Sequence, residues 1–195
     1  MAYVGPSLAL AAYLLGSLCF GIIIAARHGV DLRNTGSGNV GATNVGRALG
    51  KPVGRWVLLL DALKGFAPAL AAHLLLGPQN LWTAITAFLA CFGHCYPIWF
   101  RFKGGKAAAT AVGVLLAVVP WAGLAAAVMY VLLKKLTKRA SVGSLGGGAA
   151  ALGVTAALYG VRATVTAMAG AIFLLLVWRH RDNLQRLIRG EEPPS

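Results

Sequence analysis

Apolar stretches close to the length of a bilayer crossing recur along this chain, and nearly all of its basic residues fall between them. A run of about twenty apolar residues reads as a transmembrane helix. Hydrophobic residues make up 58% of the chain and charged residues 12%, against about 25% charged in a soluble domain. The expected fold class is therefore an all-α integral membrane protein, folded as one polytopic domain over residues 1–195.

Seven transmembrane helices are predicted, over about 3–26, 52–76, 80–100, 106–119, 120–136, 141–159 and 161–178, with a polar tail at 179–195. Gly16, Ser17 and Gly21 are small enough to let the first helix meet a neighbour closely. Its apolar run is long and lacks a basic leader, so it reads as a retained helix. Pro52 suits a helix start, and Gly77 and Pro78 make a turn. Ala107 to Leu136 is too long for one crossing and is divided at Pro120. Ser141 is expected to cap the sixth span, which Gly143, Gly146, Gly147 and Gly148 loosen. The tail is expected to begin as a short helix.

Seven crossings put the termini on opposite sides. All the basic residues except Arg162 and the intramembrane Lys64 then fall on one side, which the positive-inside rule makes cytoplasmic. The N-terminus is predicted outside, and the C-terminus and every polar motif on the cytoplasmic face. A five-span arrangement, with 107–136 or the last helices re-entrant, is the competing topology.

A net charge of +13 would suggest a nucleic-acid partner in a soluble protein. Here topology accounts for it, and no nucleic acid is expected. Cys19, Cys91 and Cys95 are odd in number and form no CxxC, which argues against a disulfide framework. Cys91, His94 and Cys95 lie close together, but no matching ligand set follows. No metal and no cofactor are expected.

Thr35 to Gly50 reads TGSGNVGATNVGRALG, a small, polar, glycine-rich stretch closed by an arginine. Gly36, Gly38 and Gly41 permit positive φ and close backbone approach, and such turns can aim successive N–H groups at an anion. Ser37, Asn39, Thr43 and Asn44 add neutral hydrogen-bonding groups, and Arg47 adds a planar fork suited to phosphate. A plain polar connector is the blander alternative. The GxGxxG spacing of the glycines is not a dinucleotide fingerprint, because membrane helices rather than a strand flank it.

Three further motifs share this face. Lys103, Gly104, Gly105 and Lys106 precede a helix, where N–H groups and the helix dipole favour an anion; ordinary flanking charge would look the same. Ser141 to Ser144 begins a helix, as a phosphate site or a plain cap. His180, Asn183, Arg186 and Glu192 lie in the tail, where His180 could serve as a base or bind a hydroxyl. Asp61 and Lys64 are charges inside a span, usually paired and facing protein. They read as an internal ion pair supporting the loop, and His73 reads as structural. Four anion-friendly sites beside glycine- and alanine-rich helices suggest a phosphorylated substrate together with an apolar chain.

GSGNVGATNVGR (Gly36 to Arg47) resembles the first motif of the bacterial acyl-phosphate:glycerol-3-phosphate acyltransferases, the PlsY family. So do Gly93, His94 and Pro97 with FKGGKAAAT (Phe102 to Thr110), DALKG (Asp61 to Gly65), and HRDNLQRLIRGEE (His180 to Glu192). Asp182 stands where Glu is more usual, and Ala108 where Val is common. The resemblance implies transfer of an acyl group from acyl phosphate to the sn-1 hydroxyl of glycerol 3-phosphate in a bacterial cytoplasmic membrane. It implies Ser37, Arg47, Lys106, His180 and Asn183 as the catalytic set that holds glycerol 3-phosphate. Thr43, Asn44, Ser141 and Gly143 would line the acyl-phosphate site, and Gly38, Asn39, Gly41, Gly104 and Gly105 are further substrate-binding candidates. The implied partners are the two substrates and membrane lipid, acting on a monomer. The chain also lacks the His-x4-Asp motif of other acyltransferases, since no His is followed by Asp five positions on.

Acyl phosphate is an activated anhydride, so direct attack without an acyl-enzyme is expected. The base is either His180 or a substrate phosphate oxygen. The rival functions are a carrier for a phosphorylated metabolite, which usually shows repeated halves and a midplane site, and a scaffold, which leaves the glycine loops unexplained.

Overall fold

The computed structural model describes residues 3–195 and is all-helical among them. The first apolar stretch is two helices, α1 (Val4–Gly16) and α2 (Phe20–Arg27), rather than the single helix expected. At the break Ser17 Oγ donates back to the Tyr13 carbonyl at 2.8 Å, a local bond that competes with helix continuation. The polar stretch that follows is not all loop. Its second half is α3 (Ala42–Leu49), whose Val45 joins Ala25, Leu32 and Val57 in a small core under the loop.

Next come α4 (Lys51–Leu76), with Pro52 in its first turn, and α5 (Leu81–Cys95), capped by Asn80 Oδ1 accepting from Trp82 N at 2.9 Å. A 3-10 turn (Ile98–Phe100) leads into the 101–107 loop. After it lie α6 (Ala108–Val118) and α7 (Pro120–Thr137), hinged at Val119 as Pro120 dictates. They are followed by α8 (Ala140–Tyr159), α9 (Thr164–Arg179) and the short tail helix α10 (Arg181–Ile188).

Lys106 lies in the loop before α6 rather than in a span, and the 11 residues of α6 rise only about 17 Å. The α8 cap is Arg139 and makes no side-chain cap bond, so Ser141 is not the cap. The glycines of α8 do not loosen it. Gly143 and Gly147 instead bring the α7 carbonyls of Tyr130 and Ala126 into close contact. Gly65 against Thr110 and Gly113 against Ala62 do the same between α4 and α6, and Gly16 against Ala90 and Gly93 against Tyr13 between α1 and α5. Small residues at such contacts let helix backbones approach where lipid offers no hydrophobic drive.

The segments Val4–Arg27, Lys51–Leu76, Leu81–Phe100 and Ala140–Tyr159 are each long and apolar enough to cross a membrane. Large apolar side chains such as Leu10, Leu74, Trp121 and Leu174 face outward, as lipid contact requires. Cys19, Cys91 and Cys95 are buried free thiols.

Asp61 and Lys64 form the expected pair at 2.8 Å, both buried. Lys64 Nζ also donates to the Leu18 carbonyl at 2.6 Å, an acceptor within the break between α1 and α2. His94 Nδ1 lies 3.7 Å from the same Asp61 oxygen. Removing one partner of a buried pair costs about 3–5 kcal/mol. Lys64→Met is expected to destabilise the protein by about that amount in thermal unfolding in detergent. Asp61→Leu added to it is expected to restore part of the loss, because it removes the stranded charge.

Candidate active site

Asp31 starts the polar loop. Its carboxylate accepts from Arg33 N at 2.9 Å and Asn34 Nδ2 at 2.7 Å, and its carbonyl accepts from Thr35 Oγ1 at 2.7 Å. Gly36 then takes φ +58°, and a side chain there would strike Asn44 Oδ1. Asn44 is buried and wholly engaged. Its Oδ1 accepts from Ser37 N at 3.0 Å, and its Nδ2 donates to the carbonyls of Thr35 at 2.8 Å and Leu32 at 3.3 Å. Asn44 therefore shapes the loop, and its amide is not free for a ligand. Gly38 lies outside the cavity described next, so its part is the turn itself, at φ +70°.

A cavity of about 830 Å³ opens between α3, α4, α6, α7, α8 and the tail. Its lining brings together Ser37, Asn39, Gly41, Thr43, Arg47, Lys106, Ser141, Gly143, His180 and Asn183, residues far apart in sequence. Ala42 and Thr43 open α3, where N–H groups lack intrahelical acceptors. The hydroxyls of Ser37 and Thr43 make no hydrogen bond among the described residues. Arg47 Nη2 donates to the Pro194 carbonyl of the tail at 2.6 Å. Apolar side chains, among them Leu58, Leu59, Ala62, Val112, Leu115 and Val131, also form part of its wall, together with Arg55, Asp61 and His94.

Gly104 and Gly105 do not line the cavity, and their N–H groups are not free. They donate to the carbonyls of Cys95 at 3.2 Å and His94 at 3.0 Å. A side chain on either would strike His94. The two glycines fit the loop against α5 so that Lys106, and not their own backbone, reaches the cavity.

Lys106 Nζ donates to Asn183 Oδ1, and Asn183 Nδ2 donates to Glu192 Oε1 at 2.6 Å. Glu192 accepts again from Ser141 Oγ at 2.8 Å and from Arg186 Nε at 2.8 Å. The Ser141 hydroxyl proton is thus committed to the tail. Burial raises the Glu192 carboxyl, but the three donors outweigh it and hold the group below the usual carboxylate range. Burial, reinforced by the nearby Arg186 cation, brings Lys106 down to about 8, although Glu192 and Asp182 oppose the shift. Burial lowers His180 to about 4, so the ring is neutral at pH 7. His180 Nδ1 lies 2.8 Å from the Leu176 carbonyl, which assigns the proton to Nδ1 and leaves Nε2 as an acceptor.

A family model described as glycerol-3-phosphate acyltransferase matches residues 7–190. The chain is 46% identical over 192 residues to the glycerol-3-phosphate acyltransferase of Anaeromyxobacter dehalogenans strain 2CP-C, covering 96% of each. It is 46% identical over 190 residues to that of Aquifex aeolicus, covering 93% of this chain and 94% of the relative. The crystal structure of PlsY (YgiH), an integral membrane glycerol 3-phosphate acyltransferase in its glycerol 3-phosphate form, superposes with a TM-score of 0.94 at 43% identity, covering 98% of this chain and 95% of that one. The lysophosphatidic acid form gives 0.91 at 42% identity, covering 97% and 94%. The fold and these matches define a multi-pass integral membrane acyltransferase. The chain belongs to the glycerol-3-phosphate acyltransferase family.

Sequence reading did not single out Arg55, which borders the cavity, or Arg179, which holds the 104–105 carbonyls. Both looked like flanking charge, and no sequence signal separates them from their neighbours. Because Lys106 loses its proton near pH 8, kcat/KM, which reports the free enzyme, is expected to fall on the alkaline side around that value. In Lys106→Arg the residual activity is expected to lose this limb, since a guanidinium stays charged.

Proposed function

We propose that this chain transfers the acyl group of an acyl phosphate to the sn-1 hydroxyl of glycerol 3-phosphate, giving lysophosphatidic acid and inorganic phosphate. The observation that carries the reading is one cavity lined both by cationic and hydroxyl-bearing side chains and by a set of apolar ones. The polar residues suit two phosphates and the apolar ones a long hydrocarbon chain, and aligning the two substrates removes most of the entropy cost of their meeting.

Ser37, Arg47, Lys106, His180 and Asn183 hold glycerol 3-phosphate. The start of α3, with the Thr43 hydroxyl and the N–H groups of Ala42 and Thr43, takes the phosphate of the acyl donor. Gly143 and Ser141 border that seat. The glycerol oxygen attacks the acyl carbon, an ester C–O bond forms, and the bond from the acyl carbon to the phosphate oxygen breaks. Arg47 and Lys106 stabilise the charge on the oxyanion and the leaving phosphate, so the step uses neither an acyl-enzyme nor a metal. Neutral His180 accepts a hydrogen bond from a substrate hydroxyl through Nε2, and a substrate phosphate oxygen takes the proton. A side chain titrating near 4 is a weak base at neutral pH. The enzyme acts as a single-domain monomer with seven spans, its N-terminus outside and its active site on the cytoplasmic face of the bacterial inner membrane.

Purified protein in lipid, given palmitoyl phosphate, is expected to release phosphate and form lysophosphatidic acid only when glycerol 3-phosphate is present. Arg47→Ala is expected to lower kcat/KM about 10²–10³-fold. No turnover by folded protein would overturn the reading. His180→Ala is expected to raise KM for glycerol 3-phosphate and keep the pH profile, whereas loss of a pH limb would make His180 the base.

A further inference from the structure

We propose that Arg179 is a positioning residue for the acyl transfer, holding the Gly104–Gly105 backbone so that the Lys106 ammonium stands in the cavity. This rests on the function proposed above.

Arg179 is the last residue of α9. Its Nε donates to the Gly105 carbonyl and its Nη2 to the Gly104 carbonyl, each at 3.0 Å. The N–H groups of the same two residues are bonded to the end of α5. All four polar groups of the Gly104–Gly105 backbone are thereby committed, two to α5 and two to one guanidinium. That guanidinium sits 5.1 Å from the centre of the Tyr96 ring, whose hydroxyl accepts from Trp178 Nε1 at 3.0 Å. The fork is thus placed by both α5 and α9.

The loop requires such a hold. Ala107, directly after Lys106, has φ +59°, and Arg101 and Phe102 have φ +56° and +58°. Non-glycine residues in the left-handed region cost about 1–3 kcal/mol each and persist only where their surroundings enforce them. Relaxing Ala107 would turn the chain at Lys106 and draw its ammonium away from Asn183. Arg179 also precedes His180 and lies four residues before Asn183, so the helix end that delivers those side chains fixes the loop that delivers Lys106. A Lys at 179 keeps the charge but lacks the planar fork that reaches both carbonyls.

The test compares Arg179→Lys, Arg179→Gln, Ala107→Gly and the double variant Arg179→Gln/Ala107→Gly with the unmodified protein. Turnover is measured with palmitoyl phosphate and glycerol 3-phosphate. A misplacement of about 1 Å costs about 10²-fold, so both Arg179 variants are expected to lose about 10–100-fold in kcat/KM at nearly unchanged melting temperature. Ala107→Gly, which removes the strain, is expected to recover part of the Arg179→Gln loss, a coupling that a merely structural role would not produce. Hydrogen exchange at the Gly104 and Gly105 amides is expected to accelerate in both Arg179 variants. Full activity in Arg179→Lys, additive effects in the double variant, or unchanged exchange would each overturn the proposal. Exchange is read without turnover, so an inactive unmodified protein would sink the proposed function while the exchange result still judged the hold on the loop.

Discussion

Charges buried in an apolar bundle are kept by pairing with one another. Asp61 and Lys64 face each other at 2.8 Å, and Lys64 Nζ also reaches a third group, the Leu18 carbonyl, at 2.6 Å. The third contact gives the pair its structural consequence. A break in a membrane helix exposes backbone carbonyls that lipid cannot satisfy, and here an ammonium from α4 takes one of them. The gap between α1 and α2 can then exist, and α2 leads the chain into the polar loop over Val45 and Val57. Asp61 and His94 both border the cavity, so the same cluster reaches the wall of the site.

Within the site, polar groups divide into those committed to the protein and those left for a ligand. Asn44 spends its whole amide on the loop, Ser141 gives its proton to Glu192, and the N–H groups of Gly104 and Gly105 go to α5. The hydroxyls of Ser37 and Thr43, the first N–H groups of α3, His180 Nε2 and the further N–H groups of Arg47 and Lys106 are among those left for a ligand. Committed groups make the free ones effective. A cation or donor already fixed in place needs no reorganisation when charge develops on a substrate, and the tail network from Lys106 through Asn183 and Glu192 to Arg186 supplies that rigidity.

Much of this was legible from residues alone, for identifiable reasons. Helix limits at Pro52, Gly77, Pro120 and Gly160 follow from backbone chemistry that any context must respect. The Asp61–Lys64 pair was legible because two opposite charges one helical turn apart in lipid have few other options. The break at Ser17–Cys19 was not, because nothing in an apolar run containing two serines, Ser7 and Ser17, distinguishes a broken helix from a whole one. The helical second half of the polar stretch was missed for a related reason. Its glycines read as loop, and the Val45 contact that makes it a helix lies with residues elsewhere in the chain.

The sequence by itself determined the class of this protein, its family, and which polar residue types were available to gather in one cavity. These depend on composition, local spacing and motifs, which survive without coordinates. Tertiary structure alone decided which of those groups stay free. Whether Gly105 offers its N–H to a ligand depends on a carbonyl at His94, and whether Lys106 is held depends on Arg179, 73 positions further along by the numbering. Hydrogen bonds saturate, so a donor's availability is set by whichever partner the fold brings to it first.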